Sequence, residues 1–258
     1  MGTEIQTDNF RDIDRPKKKR KKKNYLLRAL IVIAILVGAF LLVSSSLFDV
    51  GSITVENNDY YTDEEVITIA NAKKGVNIFW GIDGSDIKKR LLDNPYFEEV
   101  NIKRKFPNTL IIDVTERLQI AAIKYGDEYI VIDESGTVLR KTDVNPKLTL
   151  LRGLTISKLT VGEKVDAEEA VALKNTLAML SAMKDGDLFF KKIVISKAVI
   201  KAYIYDTLLC RGTPKQMLSA IKSGDLSKVI NKLFQNDTTR GTVSLGDNNY
   251  ASFSPAID

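Results

Sequence analysis

Side chains capable of covalent or acid–base chemistry are scarce in this sequence. Histidine is absent, which removes Ser-His-Asp and Cys-His catalysis and histidine metal ligation together. The single cysteine, Cys210, excludes an internal disulfide and a cysteine-based zinc site. It lies in the apolar stretch YIYDTLLC and reads as a small buried hydrophobe rather than a reactive thiol. Carboxylates do cluster, at Asp59-Asp63-Glu64-Glu65 and at Glu98-Glu99. Acidic residues at a helix start or along a strand edge are ordinary solvated positions, however, and neither cluster reads as an acid/base pair. The glycine-containing run KKGVNIFWGIDG, residues 73–84, lacks a phosphate-loop pattern. Within it, Phe79 and Trp80 suggest either an exposed docking patch or, as expected here, a hydrophobic lid on a small sheet. The reading is therefore of a protein that is not an enzyme, with no catalytic, cofactor-binding or metal-binding residues. What remains is binding, and the elements that would present a binding surface.

The chain has 258 residues and is 44% hydrophobic, enough to bury at least one sizeable core. Its net charge of +5 is unevenly placed. Residues 1–28 hold 10 Lys/Arg and 4 Asp/Glu, leaving 28 against 29 in the remainder. Only the tail is basic, which argues against nucleic acid as a partner of the folded part. The source is one run: Lys17, Lys18, Lys19, Arg20, Lys21, Lys22 and Lys23. It resembles a nuclear address, but such matches are frequent by chance, and an apolar segment follows at once.

That segment, ALIVIAILVGAFLLVSSSLF at residues 29–48, contains no charge. A helix of this length spans about 30 Å, the thickness of a bilayer's hydrocarbon core. No polar stripe interrupts residues 30–43, as a soluble core helix would need. Small residues at 44–46 raise the alternative of a cleaved, secreted protein. Yet the charged region ahead is long, and the uncharged stretch exceeds the roughly 7–15 residues of a signal-peptide core. The expectation is an uncleaved signal anchor. The basic run makes residues 1–28 a cytoplasmic tail and sends the bulk of the chain outside, and it suits anionic lipid headgroups.

The exterior part opens with a strand at Ile53 and Val55, alternating with polar residues. Thr62 and Glu65 then form a capping box for a short helix with Val66, Ile69 and Ala70 on one face, ending at Gly75. A second helix carries Ile87 and Leu91 and stops before Pro95. Two strands follow, joined at Pro107-Asn108, with Val100 and Ile102 on one and Leu110, Ile112 and Val114 on the other. The order strand, helix, helix, strand, strand predicts two helices on one face of a three-stranded sheet.

That order, the runs KKGVNIFWGID and NPYFEEVNIKRKFPNTLIIDVTER, and their position just after a signal anchor resemble a POTRA domain of the bacterial cell-division family FtsQ/DivIB. The resemblance continues through YIVIDESG (residues 129–136) and NPKLTLLRG (145–153) and covers residues 48–257. Asn57-Asn58 stands where the family often has Gly-Asn, and Asn is the next-best residue for a left-handed turn. In ERLQIA (116–121), Gln119 replaces a proline.

Beyond Arg117 the pattern predicts a mostly antiparallel β domain with helical insertions. Strands are expected at 120–125, 129–132 and 137–140, with a hairpin turn at 133–136. A helix at 167–184 would be capped by Asp166 and Glu169 and striped by Leu173, Leu177 and Leu180. Paired strands follow at 190–195 and 199–205. Another helix starts at Thr213-Pro214, with a break at Gly224. Two terminal strands close the chain. The fold class is α+β, divided as tail 1–28, membrane anchor 29–48, POTRA domain 49–117 (β-α-α-β-β) and β domain 118–258.

A sheet edge can bind an extended partner by strand addition. The resemblance implies where and to what: the last strands, at Val243, Leu245, Tyr250, Ala251 and Phe253, would pair with small coiled-coil division proteins of the FtsB/DivIC and FtsL type. For Leu245 and Phe253 the alternative is that they fill the core, whereas Tyr250 is expected to be a contact. It also implies concentration at the division septum, a role in regulating septal peptidoglycan synthesis, and room for further divisome partners on the POTRA domain. The alternative is a POTRA-bearing component of a secretion or assembly machine, which would call for a membrane β-barrel. No run of lipid-facing alternating strands is seen.

Overall fold

The structure, a computed structural model, describes Gly2, residues 24–183 and residues 188–256. Two compact units are present, residues 1–45 and 46–258. Among its described residues the first contains one helix, α1 (Tyr25–Val43), long and apolar enough to cross a membrane. Its 19 residues rise about 28 Å. It begins four residues before the uncharged run, because Tyr25, Leu26, Leu27 and Arg28 are all good helix formers or neutral to the helix. It ends at the serines, where Ser45 turns its Oγ back to the Leu42 carbonyl (2.6 Å).

The second unit starts with a three-stranded sheet of order β1-β3-β2: β1 (Ser52–Glu56), β2 (Phe97–Lys105) and β3 (Thr109–Glu116). Strand β3 pairs with β1 in parallel and with β2 antiparallel. Helices α2 (Asp63–Ala70) and α3 (Gly84–Leu92) cover one face, setting Val66, Ala70, Ile87 and Leu91 against Val100, Leu110, Ile112 and Val114. The capping box at Thr62 and Glu65 is formed in both directions, and accepting the Thr62 N–H holds the Glu65 carboxyl below its ordinary range. Helix α2 stops at Asn71 rather than Gly75, since Asn71 takes the left-handed conformation (φ 50°) and closes the helix there. Asn57 is left-handed as well (φ 64°). The expected Phe79/Trp80 lid is corrected: Ile78 is the fully buried residue of that loop, and its two aromatic neighbours point outward.

Arg117 leads out of β3 into the remainder of the unit. Its guanidinium donates to the buried Asp133 carboxylate (2.9 Å), which also accepts the N–H groups of Ser135 and Thr137. Arg140 donates to the Tyr96 hydroxyl (3.0 Å), and Tyr96 packs on Val131 and Leu139. These contacts seat the small sheet on a nine-stranded mixed sheet.

The large sheet contains β4 (Ala121–Tyr125), β5 (Glu128–Ile132), β6 (Val138–Thr142), β7 (Thr149–Arg152), β10 (Lys192–Ile195), β11 (Ile200–Tyr203), β12 (Leu208–Gly212), β13 (Gly241–Leu245) and β14 (Ala251–Ser254). Its order is β14-β13-β12-β11-β10-β7-β4-β5-β6. Five of its eight pairings are antiparallel and three parallel. Strands β7 and β12 were not expected: β7 is four residues long inside what reads as a loop, and β12 carries Cys210. A short hairpin of β8 (Ile156–Lys158) and β9 (Asp166–Ala167) stands apart.

Helices α4 (Ala170–Ala182), α5 (Pro214–Lys222) and α6 (Asp225–Gln235) cover one face with Leu173, Leu177, Leu180, Met217, Ala220, Leu226 and Ile230. The expected cap of α4 is corrected. Asp166 belongs to β9, and the Glu169 carboxylate accepts the Thr155 N–H (2.8 Å) instead of capping the helix. Residue 184, the expected end of this helix, lies outside the described residues. The α5–α6 break falls at Gly224, which sits at φ 74°, a conformation that favours glycine.

Candidate partner-binding edge

A single row of side chains crosses the whole sheet in register. It runs from Lys141 on β6 through Ile130, Ile123, Leu151, Ile193, Ala202, Cys210 and Val243 to Phe253 on β14. From Ile130 to Val243 every member is at most 2% exposed. Residues aligned this way share one face of the sheet, here the face beneath α4, α5 and α6. Cys210 is part of this row, and burial pushes its thiol up to about 12, which removes its nucleophilic form at neutral pH.

The row ends at β14, and the local sequence explains why the chain forms an edge strand there. Gly241 N–H bonds to the Thr207 carbonyl (2.8 Å) and starts β13 parallel to β12. Gly241 has φ 134°, and the Phe253 ring fills the space that a Cβ at this position would take. Phe253 therefore lies diagonally across the β13–β14 pair and fastens β14 to the sheet, as aromatic residues do opposite strand glycines. At the far end Gly246 N–H bonds to the Tyr250 carbonyl (2.8 Å), and Gln216 of the α5 capping box donates to Asp247 (3.0 Å). Beyond β14, Thr242 Oγ1 donates to the Ala256 carbonyl (2.9 Å). The strand is thus held at both ends, and its outer side pairs with no strand among the described residues.

The five residues singled out from the sequence divide accordingly. Val243 and Leu245 lie in the core, and β13 is flanked by β12 and β14. Their placement on an accessible strand is corrected: both sides of the β13 backbone are already used. Ala251 is half-buried, Phe253 is 41% exposed and Tyr250 is 67% exposed. The exposed side chains and the unpaired backbone coincide on residues 250–254. Sequence reading missed Ser252 and Ser254, which give β14 a short, uncharged outer surface. The signal was the absence of any Lys, Glu or Pro among residues 250–254, since charge and proline are what usually protect an edge. Lys17 to Lys23 lie outside the described residues.

Several of the clustered carboxylates have structural partners: Asp63 accepts from Asn58 (2.9 Å) and Glu65 from the Thr62 N–H (2.9 Å). Glu98 pairs with Arg117 (3.4 Å). Glu116 accepts the backbone N–H groups of Asp59, Tyr60 and Tyr61. No group of three or more acidic or cysteine side chains suited to a metal ion occurs among the described residues.

A family model described as "POTRA domain, FtsQ-type" matches residues 48–117. The chain is 29% identical over 178 residues to "Cell division protein DivIB" of Clostridium acetobutylicum, covering 67% of this chain and 71% of that protein. It is 30% identical over 210 residues to the DivIB protein of Clostridium botulinum (strain Loch Maree / Type A3), covering 80% of each. With "Cell division protein FtsQ" of Geobacter sp. (strain M21) it shares 31% identity over 151 residues, 58% of this chain and 53% of that protein.

Proposed function

The chain belongs to the FtsQ/DivIB family of cell division proteins, and from that membership and its terminal edge strand we propose that it is a non-enzymatic single-pass scaffold of the division machinery. The tail is cytoplasmic, α1 crosses the membrane, and the POTRA domain (49–117) and β domain (118–258) lie outside. The partners are small coiled-coil division proteins of the FtsB/DivIC and FtsL type. One of them adds an extended segment to the outer side of β14, and the assembled complex gathers at the septum, where it regulates peptidoglycan synthesis.

The observation that carries this reading is that β14 is uncharged, anchored at both ends and unpaired on its outer side. Strand addition draws affinity from main-chain hydrogen bonds and selectivity from side chains along the strand, here Phe253 on one face of β14 and Ser252 and Ser254 on the other, with Tyr250 exposed just before it. The test is co-purification of the full-length chain with the two partner types. Ser252→Lys places a charge on β14 at an exposed position. Loss of the partners with an unchanged unfolding midpoint supports strand addition at this edge; undiminished capture by this variant overturns it.

A further inference from the structure

One end of the POTRA sheet carries an aromatic surface that edge pairing on β14 does not use. Three loops meet there. Val50 N–H bonds to the Val76 carbonyl (2.8 Å), Ile78 N–H to the Phe48 carbonyl (2.8 Å) and Gly51 N–H to the Asn108 carbonyl (2.9 Å). The loops bring Phe48, Phe79, Trp80 and Phe106 together. Phe79 stacks on Phe106 with ring centres 4.9 Å apart and lies 5.4 Å from Phe48 and 6.0 Å from Trp80. Ile78 beneath them is fully buried, whereas Trp80 is 56% and Phe106 55% exposed. Rings held against one another yet left in water mark an interaction site rather than core.

Two observations identify the occupant. First, this is the end at which the chain arrives from α1. Only residues 44–47 separate Val43 from Phe48, and an extended chain advances at most about 3.5 Å per residue. The link from Val43 to Phe48 therefore reaches at most about 18 Å. Second, the charge around the rings suits an anionic surface. Lys73, Lys74, Arg104 and Lys105 are exposed, Arg104 also donating to the Ile82 carbonyl (3.0 Å), while the acids of the three loops are Asp49 and Asp83; Asp83 is committed to capping α3 through the Ser85 and Asp86 N–H groups, and Asp86 beyond it is paired with Arg90. Aromatic rings flanked by Lys and Arg are the composition that settles at a lipid headgroup boundary.

We propose that this end of the POTRA domain docks on the outer leaflet of the membrane that α1 crosses, with Phe79, Trp80 and Phe106 in the headgroup region and the four basic residues on anionic phosphates. Docking fixes the height and tilt of the large sheet, and hence of β14, above the membrane. It rests on the reading of α1 as a membrane span.

Trp80 is the only tryptophan, so its fluorescence reports on this surface alone. The full-length chain is reconstituted into phosphatidylglycerol-containing vesicles whose acyl chains are either plain or brominated close to the headgroup. Docking predicts a blue-shifted Trp80 emission, a loss of intensity with brominated lipid and protection from aqueous iodide. The double variant Phe79→Ser/Phe106→Ser reverses much of that loss while keeping the thermal midpoint, because neither side chain belongs to the buried core of the domain and Phe106 is 55% and Phe79 38% exposed. In protein that floats with the vesicles and resists alkaline extraction, an emission typical of water-exposed indole that brominated lipid leaves unchanged overturns the proposal. So does shielding from iodide that grows with protein-to-lipid ratio without bromine quenching, since that assigns the surface to a second copy. Failure to float or to resist extraction overturns the membrane reading and the docking with it.

Discussion

The two edges of the nine-stranded sheet are built from the same row of side chains and finish it in opposite ways. At β6 the row ends in Lys141, with Arg140 beside it, and the loop at residues 162–165 closes over the start of the strand: Gly162 N–H bonds to the Val138 carbonyl and Val138 N–H to the Glu163 carbonyl. At β14 the row ends in Phe253, neighbours are serines, and no loop among the described residues covers the outer side. Charge and cover are how sheets avoid accidental pairing. One edge is protected and the other is held open in a defined shape. The proposed pairing of a partner with β14 rests on that difference.

If β14 is an edge and β13 is interior, proline should discriminate between them by its cost. Leu245→Pro removes a ladder donor from a strand flanked on both sides and pushes its ring into the core. The expected loss is about 3 kcal/mol or more, read as a collapse of the urea midpoint together with partner binding. A folded Leu245→Pro protein that lost only its partner would make β13 the interface and dissolve the contrast drawn above.

Between the edges, Cys210 sits in the middle of the row, and pH tests how tightly that middle is closed. Its folded-state value is raised to about 12 by burial, against roughly 8.5 for an exposed thiol. A raised value means stability that is fully present below the unfolded pKa and lost as pH climbs toward the folded one. By pH 10 ionisation of the unfolded-state thiol should have removed about 2 kcal/mol. Comparing urea midpoints of wild type and Cys210→Ala at pH 7 and pH 10 isolates it from the titrating lysines and tyrosines. An equal pH dependence in both proteins would mean that the row is open to water at its centre.

Gly241→Ala probes what fastens the free edge. The new methyl meets the Ser254 carbonyl and the Phe253 ring, and the residue must adopt φ 134°, so a loss of about 1–3 kcal/mol is expected. Because the strain falls on the β13–β14 pair, hydrogen exchange should accelerate in β14 while β4, β5 and β7 stay protected. Uniform acceleration would mean that Phe253 does not act locally.

How far the sequence foretold all this follows the range of the interactions involved. The capping box at Thr62 and Glu65, the Thr213-Pro214 helix start and the break at Gly224 depend on neighbours within four residues and were legible. The lone Cys210 was legible too, because an apolar run with no partner cysteine leaves little else. Strand β7 was not: TLLR is four residues inside an apparent loop, and it is a strand only because β4 and β10 pair with it from either side. Glu169 has the spacing of a capping residue, yet Thr155, fourteen residues away, claims its carboxylate. The candidate site shows the same limit. The terminal hairpin was readable from alternation, but which of its strands is interior depends on β12, which was itself missed. That is why Val243 and Leu245 were set beside Tyr250 and Phe253 although they face the core.

The smallest stability effects belong to the comparison's most direct test, an exchange of edge character. Ser252 and Lys141 are both exposed, so Ser252→Lys and Lys141→Ser should each shift stability by no more than about 0.5 kcal/mol. Their effects on binding should differ in kind. Ser252→Lys gives β14 the guard that β6 already has and should release the partner. Lys141→Ser strips a guard from β6, but the loop at 162–165 still covers the start of that strand and Arg140 remains beside position 141, so partner capture should stay at the wild-type level, with at most some self-association at high concentration. In the double variant the partner should remain lost, because an uncharged surface alone does not make an acceptor; unpaired backbone is also required. Recovery of binding in the double variant would mean that net charge, not the geometry of β14, governs capture.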